Sequence, residues 1–122
     1  MRLAKGVFYV AGMWGLVILT PLYFLFDLIG QRFPPAITHP DFYYGFVGVA
    51  LAWQVAFLVI ARDPVRFRPL MVPAILEKFL YVISTGVLFA QGRLQSGQIA
   101  GAGADLVLGT LFVVAFLKTS KT

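Results

Sequence analysis

Four apolar runs of about 20 residues each decide what this chain can fold into. A run of that length, rising ~1.5 Å per residue, covers a hydrocarbon core ~30 Å thick. The runs cover about residues 6–26, with the first helix carried on to about residue 29, then about 42–61, 70–90 and 99–117. In hydrocarbon the backbone has no water to bond to, so each run reads as a helix. The fold class is therefore all-α, a polytopic membrane protein whose residues 1–122 form one four-transmembrane-helix bundle. The connectors "DLIGQRFPPAITHPD", "RDPVRFRP" and "QGRLQSGQ" are short, broken by Pro34, Pro35 and Pro40, and leave no room for a soluble domain. Arg2 and Lys5 before the first run imitate a signal peptide, but the apolar core is too long and no small-x-small cleavage site follows, so the segment reads as retained.

Lys and Arg set the orientation. With four crossings, Arg2, Lys5, Arg62, Arg66, Arg68, Lys118 and Lys121 share one side, against Arg32 and Arg93 on the other. That bias places both termini in the cytoplasm. Tyr23, Phe24, Tyr43 and Tyr44 then fall at the outer ends of the first two spans, where amphipathic rings favour the interface. The chain has no cysteine, which excludes disulfides, thiolate metal sites, cysteine nucleophiles and thiol–quinone chemistry. One histidine, His39, is too few for a bis-histidine haem or a histidine-rich metal centre in a single copy. No cofactor and no metal are expected. The partner is the lipid bilayer, with a homo-oligomer or a larger membrane complex as further partners, and no nucleic acid.

Between helices in lipid, association rests on close approach at small residues. Gly101, Asp105 and Gly109 form such a stripe on the fourth span, Gly45, Gly48, Ala52 and Ala56 on the second, and Ala11 and Gly15 on the first. They read as packing faces. Pro21 and Pro73 lie within spans, where a proline frees a carbonyl and can kink the helix. Pro73 is one turn before Glu77, so that carbonyl and the acid are placed to share a polar patch.

The third span carries two full charges in "PAILEKFLY". Glu77 is ~10 Å from the cytoplasmic edge and Asp105, on the fourth span, ~9 Å from the outer edge. Their levels should differ by ~10 Å in a core of ~30 Å, so a shared carboxylate pair is not expected. Side chains lean toward a helix's N-terminus, and neighbours in sequence are turned by ~100°. Lys78 should therefore snorkel to the inner interface while Glu77 turns into the bundle, its partner left to another helix or loop, with Lys5, Arg66 and Arg68 as cations that could reach it. Tyr81, Ser84 and Thr85 continue the polar face of Glu77, and Gln54 lies mid-span on the second helix. Glu77, Lys78, Tyr81, Ser84, Thr85, Gln54 and Asp105 thus make a candidate intramembrane polar site. It reads either as an interhelical hydrogen-bond network or as a proton or substrate path. Arg62, Arg66 and Arg68 are explained by topology and are also a candidate contact for anionic lipid. Asp27, Arg32, His39, Asp41 and Arg93 form an outer polar cluster, with Asp27 read as a wetted interfacial residue.

The stretch "YGFVGVALAWQVAFLVIARDPVRFRPLMVPAILEKFLY" and the closing "DLVLGTLFVVAFLKT" resemble a group of short, uncharacterised bacterial four-helix membrane proteins, similar in general plan to DoxX-like proteins. The resemblance covers spans two to four, and its most specific element is the basic loop followed by Pro73, Glu77 and Lys78. It implies a bundle in a bacterial inner membrane and carries no catalytic motif. Two functions follow from these readings. One is a non-enzymatic accessory or structural subunit of a membrane assembly, and the alternative is a small proton-coupled transporter with Glu77 as the protonatable group. Small multidrug-resistance proteins are similar in length and helix number, but their essential acid is in the first helix and their dual-topology members have a weak Lys/Arg bias. This chain departs on both counts. A lipid or quinone enzyme would need His39, Asp41 and Asp105 to assemble near the outer surface, and their spacing specifies no reaction. Reporter fusions at the C-terminus should report a cytoplasmic location, and a periplasmic signal would reverse the assignment of sides.

Overall fold

A computed structural model describes residues 2–32, 37–94 and 96–119. Pro34, Pro35 and Lys121, singled out above, lie outside the described residues. The chain forms helices α1 (Arg2–Leu19), α2 (Phe26–Arg32), α3 (Pro40–Arg62), α4 (Met71–Ala90) and α5 (Ala100–Lys118), with no strand among the described residues. Short 3-10 turns at Thr20–Phe24, Arg68–Leu70 and Ser96–Ile99 extend three of these helices. Four 23-residue stretches, Arg2–Phe24, Pro40–Arg62, Arg68–Ala90 and Ser96–Lys118, are long and apolar enough to cross a membrane. The chain is a multi-pass membrane protein. Val17, Phe24, Ile83, Val107 and Leu117 are exposed on the outside of the bundle, as lipid-facing side chains must be.

Prolines place the helix ends. Pro21 has no N–H to continue the α1 ladder, and the helix gives way there to the 3-10 turn. Tyr43 Oη then donates to the carbonyl oxygen of Leu22 in that turn at 2.6 Å, tying the start of α3 to the end of the first span. Pro40 opens α3 at the first helical position, where its fixed φ fits and no N–H is needed. Pro73 corrects the sequence reading. It sits in the first turn of α4, where backbone N–H groups have no intrahelical partner in any case, and so does not kink the span beside Glu77.

The bundle is two antiparallel pairs, α1 with α3 and α4 with α5, joined mainly through α1 against α5, with only sparse contact between α3 and α4. The core lies at the end where both described termini and the α3–α4 loop meet. There Ala4, Phe8, Phe57, Ile60, Ala61, Met71, Ala74, Phe112 and Ala115 pack together. Phe8 stacks on Phe112 with centroids 4.3 Å apart, and Phe57 meets Phe112 edge-on at 4.9 Å. All three rings are fully buried. Arg68 closes this end. Its Nε donates to the carbonyl oxygens of Phe116 and Thr119 at 3.2 and 3.0 Å, and its guanidinium lies 3.7 Å from the centre of the Phe116 ring. These carbonyls lie at the end of α5, where among the described residues only a long 3.4 Å bond from the Thr119 N–H reaches the Phe116 oxygen, so one arginine bonds both and complements the helix dipole.

At the opposite half the helices separate around a cavity of about 790 Å³. Its walls come from residues 14–22, 45–54, 77–81 and 100–105. Gly15, Gly45, Ala50, Ala100, Gly101 and Ala104 line it, and such small side chains cannot fill the space between spans. The small-residue stripes are therefore divided in use. Gly109 is a packing position, where an added Cβ would lie 3.1 Å from both Lys78 Cβ and the Phe79 ring, whereas Gly45 and Gly101 border the cavity.

If the phenylalanine trio holds the closed end, Phe112→Ala should lower the unfolding free energy by about 3 kcal/mol. The lipid-facing control Leu117→Ala should change it by less than about 0.5 kcal/mol. Unfolding in detergent or bicelles reads both.

Candidate functional site

The charges of α4 and α5 meet at the floor of the cavity. Lys78 Nζ donates to Asp105 Oδ1 at 3.2 Å, and the same nitrogen lies 3.6 Å from Glu77 Oε2. It also stands 5.1 Å from the centre of the Phe57 ring, close enough for a cation–π contact. Lys78 is buried, with 4% of its surface exposed. Two expectations are corrected here. Lys78 does not snorkel to an interface, and Glu77 and Asp105 do share one site, with the lysine between them.

The physical reason is the α4–α5 contact. Gly109 lets the α5 backbone approach the base of Lys78, as a Cβ at that position would crowd Lys78 Cβ. Asp105 is one turn from Gly109 on the same helix face. The long lysine stem spans that turn and erases the difference in level that a helix-by-helix count gives. The i, i+1 geometry also matters less than expected. The two side chains leave the helix ~100° apart, but the lysine is flexible enough to return its Nζ to the neighbouring carboxylate.

Coulomb attraction at these separations is about 5 kcal/mol per pair at an effective dielectric constant of about 20. Placing each charge at membrane depth costs about 3 kcal/mol. Two attractions thus offset three penalties only to within a few kcal/mol, before the mutual repulsion of the carboxylates. One negative charge remains without a counter-charge in the triad. The cluster is neutral when it holds one proton or one further cation.

The rest of the predicted polar site divides. Gln54 is buried and lines the cavity; its Nε2 donates to the carbonyl oxygen of Ala50 at 2.8 Å, while Oε1 has no protein donor among the described residues. Gly15 is required beside it, because a Cβ there would collide with the Gln54 amide. Tyr81 also lines the cavity, its hydroxyl 3.3 Å from where a Cβ on Gly101 would stand. Thr85 is buried one turn beyond Tyr81 on α4 and its side chain hydrogen-bonds that of Tyr81, whereas Ser84 faces outward, so the polar line expected along one face runs from Glu77 through Tyr81 to Thr85 without Ser84.

Of the arginines in and beside the α3–α4 loop, Arg62 and Arg66 are exposed and Arg68 is engaged as the α5 cap. None approaches Glu77, whose cationic partner is Lys78. Arg62 lies with Lys5 along a separate groove formed by α1 and α3. The residues expected to form an outer polar cluster do not converge. Asp27, Arg32, His39 and Asp41 are exposed, His39 stacks on Phe42 at 4.8 Å, and Arg93 donates to Gln91 Oε1 at 3.3 Å. Among the described residues neither His39 nor Asp41 bonds to Asp105, whose ion-pair partner is Lys78. Among the described residues no group of three or more His, Asp or Glu side chains is placed to hold a metal ion.

Sequence reasoning missed Trp14, Trp53 and Phe46 in the cavity wall and Phe57 beneath the ammonium. The adjacent pairs Trp14–Gly15 and Trp53–Gln54 are the local signal: the two tryptophans of the sequence each stand within a span beside a small or polar residue. Comparison with protein-family models, curated proteins and solved structures finds no match to this chain.

Lys78→Met removes the shared counter-charge and should destabilise the bundle by about 3–5 kcal/mol. The triple change Lys78→Met, Glu77→Gln, Asp105→Asn removes all three charges and should recover most of that loss. Equal loss in both variants, measured by unfolding in lipid, would mean that the lysine stem matters for packing and its charge does not.

Proposed function

We propose that the protein is a small proton-coupled carrier of an amphipathic solute in the bacterial inner membrane, with both termini in the cytoplasm. The observation that carries this reading is the pairing of two carboxylates with one ammonium at the floor of the 790 Å³ cavity. The volume falls in the ~300–1,000 Å³ range of small-molecule sites, and its walls combine aromatic rings with a few convergent polar groups. Glu77 is the group that exchanges the proton, since Asp105 is held by the shorter bond to Lys78. Lys78 keeps the pair of acids together at membrane depth, and Gln54 and Tyr81 orient the solute. The loose α3–α4 side is the route by which the cavity changes its exposure.

A second reading is favoured by one observation. Lys78 is satisfied within the chain by Glu77, Asp105 and Phe57, and Gly109 fits against its base. A triad closed in this way also suits an accessory or structural subunit, in which it fixes the α4–α5 register and binds nothing.

Proton flux separates the two. For a carrier, protein reconstituted in liposomes should dissipate an imposed pH gradient, and Glu77→Gln should slow this at least about tenfold with little change in unfolding temperature. For a structural subunit, no flux is seen above that of protein-free liposomes, and Glu77→Gln lowers stability instead.

A further inference from the structure

The carrier reading leaves the solute open, and the charge and hydrogen-bond inventory of the cavity narrows it. The ammonium of Lys78 is not available to an anion: its side chain is 5% exposed and already engaged by Glu77, Asp105 and the Phe57 ring. The carboxylates are the accessible part of the triad, their side chains 22% and 20% exposed and both lining the cavity. The two buried polar side-chain atoms without a hydrogen bond among the described residues are both acceptors, Gln54 Oε1 and Glu77 Oε2. Gln54 is 2% exposed, and its amide is oriented by the bond from Nε2 to Ala50, so Oε1 cannot be exchanged for a donor without losing that bond. A ligand that satisfies these atoms must donate, and one that balances the triad must be cationic.

Resting on the cavity-binding reading, we infer that the cavity takes a monocationic amphiphile, a primary or secondary ammonium on an aryl or alkyl body. Its N–H groups bond to Gln54 Oε1 and the Glu77 carboxylate, and its apolar body lies along Trp14, Trp53 and Phe46. The ligand then supplies the positive charge that a proton supplies in its absence. Ammonium and proton therefore compete for one negative charge, and binding of the cation releases a proton. A quaternary ammonium keeps the charge but donates nothing, so it binds less well than a primary one.

The test uses the full chain in lipid nanodiscs and its own fluorescence, because both tryptophans of the sequence, Trp14 and Trp53, line the cavity. Three probes share one body and differ in charge: 4-phenylbutylammonium, 4-phenylbutan-1-ol and 4-phenylbutanoate, each corrected for quenching in protein-free nanodiscs. The ammonium should bind at least about tenfold more tightly than the alcohol, and the carboxylate should give no saturable quenching. In Glu77→Gln the ammonium should fall to within about twofold of the alcohol. Unchanged alcohol binding in that variant shows that the cavity is still formed. If Glu77→Gln does not fold, Gln54→Met serves as the second variant. It should weaken the ammonium at least about fivefold while leaving 4-phenylbutyltrimethylammonium within about twofold of its wild-type affinity. An alcohol or carboxylate that binds as tightly as the ammonium overturns the assignment of ligand class and leaves the cavity-binding reading standing. An ammonium preference that survives both Glu77→Gln and Asp105→Asn overturns it as well. If no probe of any charge quenches saturably, the cavity-binding reading itself falls and the assignment falls with it.

Discussion

A lysine ammonium buried between two carboxylates is the contact that fixes how α4 and α5 meet and where the cavity has its floor. In water such a triad would contribute little, because each charge is already solvated and the pairs are screened. At membrane depth the alternative is an uncompensated charge in hydrocarbon, so the three groups are compelled to find one another. Meeting requires a fixed register between α4 and α5, and Gly109 supplies it by letting the α5 backbone come close to the base of Lys78. The position of Asp105 one turn away then follows from helix geometry alone. Phe57 of α3 under the ammonium extends the same contact to the other pair.

Packing and openness are unevenly shared along the bundle. At one end large rings interlock, and Phe8, Phe57 and Phe112 exclude solvent and lipid alike. At the other end glycines and alanines stand where large side chains would be needed to fill the same spacing, and the space between the pairs becomes a cavity. A membrane bundle lacks a hydrophobic force that would collapse such a space, because lipid is as apolar as the side chains that line it. The charged triad lies at the boundary between the two regimes, with its lysine directed into the packed half and its carboxylates lining the open one.

The architecture was legible because length and hydropathy leave few alternatives for a chain of this kind: four runs long enough to cross a membrane appear as four spans. Local detail at the prolines was legible in part. Pro21 ends α1 as its missing N–H requires, but Pro73 falls in a first turn, where the same property has no effect. The identities of Glu77, Lys78, Asp105 and Gln54 stood out as polar groups in apolar spans, yet their grouping did not. Depth counted along each helix separately ignores how far a lysine stem reaches and how closely a glycine lets two backbones approach. The cavity was not legible at all, since glycine and alanine at fourfold spacing describe a tight interface and a gap equally well. Which of the two forms depends on the residues opposite, and a single sequence does not pair the helices.

Arg68 has a mechanical consequence. By holding the carbonyls of Phe116 and Thr119 from the turn that precedes α4, it joins the α3–α4 connection to the far end of the last helix. With the three phenylalanines beside it, this joint holds all four spans together at one end, while at the cavity α3 and α4 meet through the stacked rings of Phe46 and Tyr81, 6.4 Å apart.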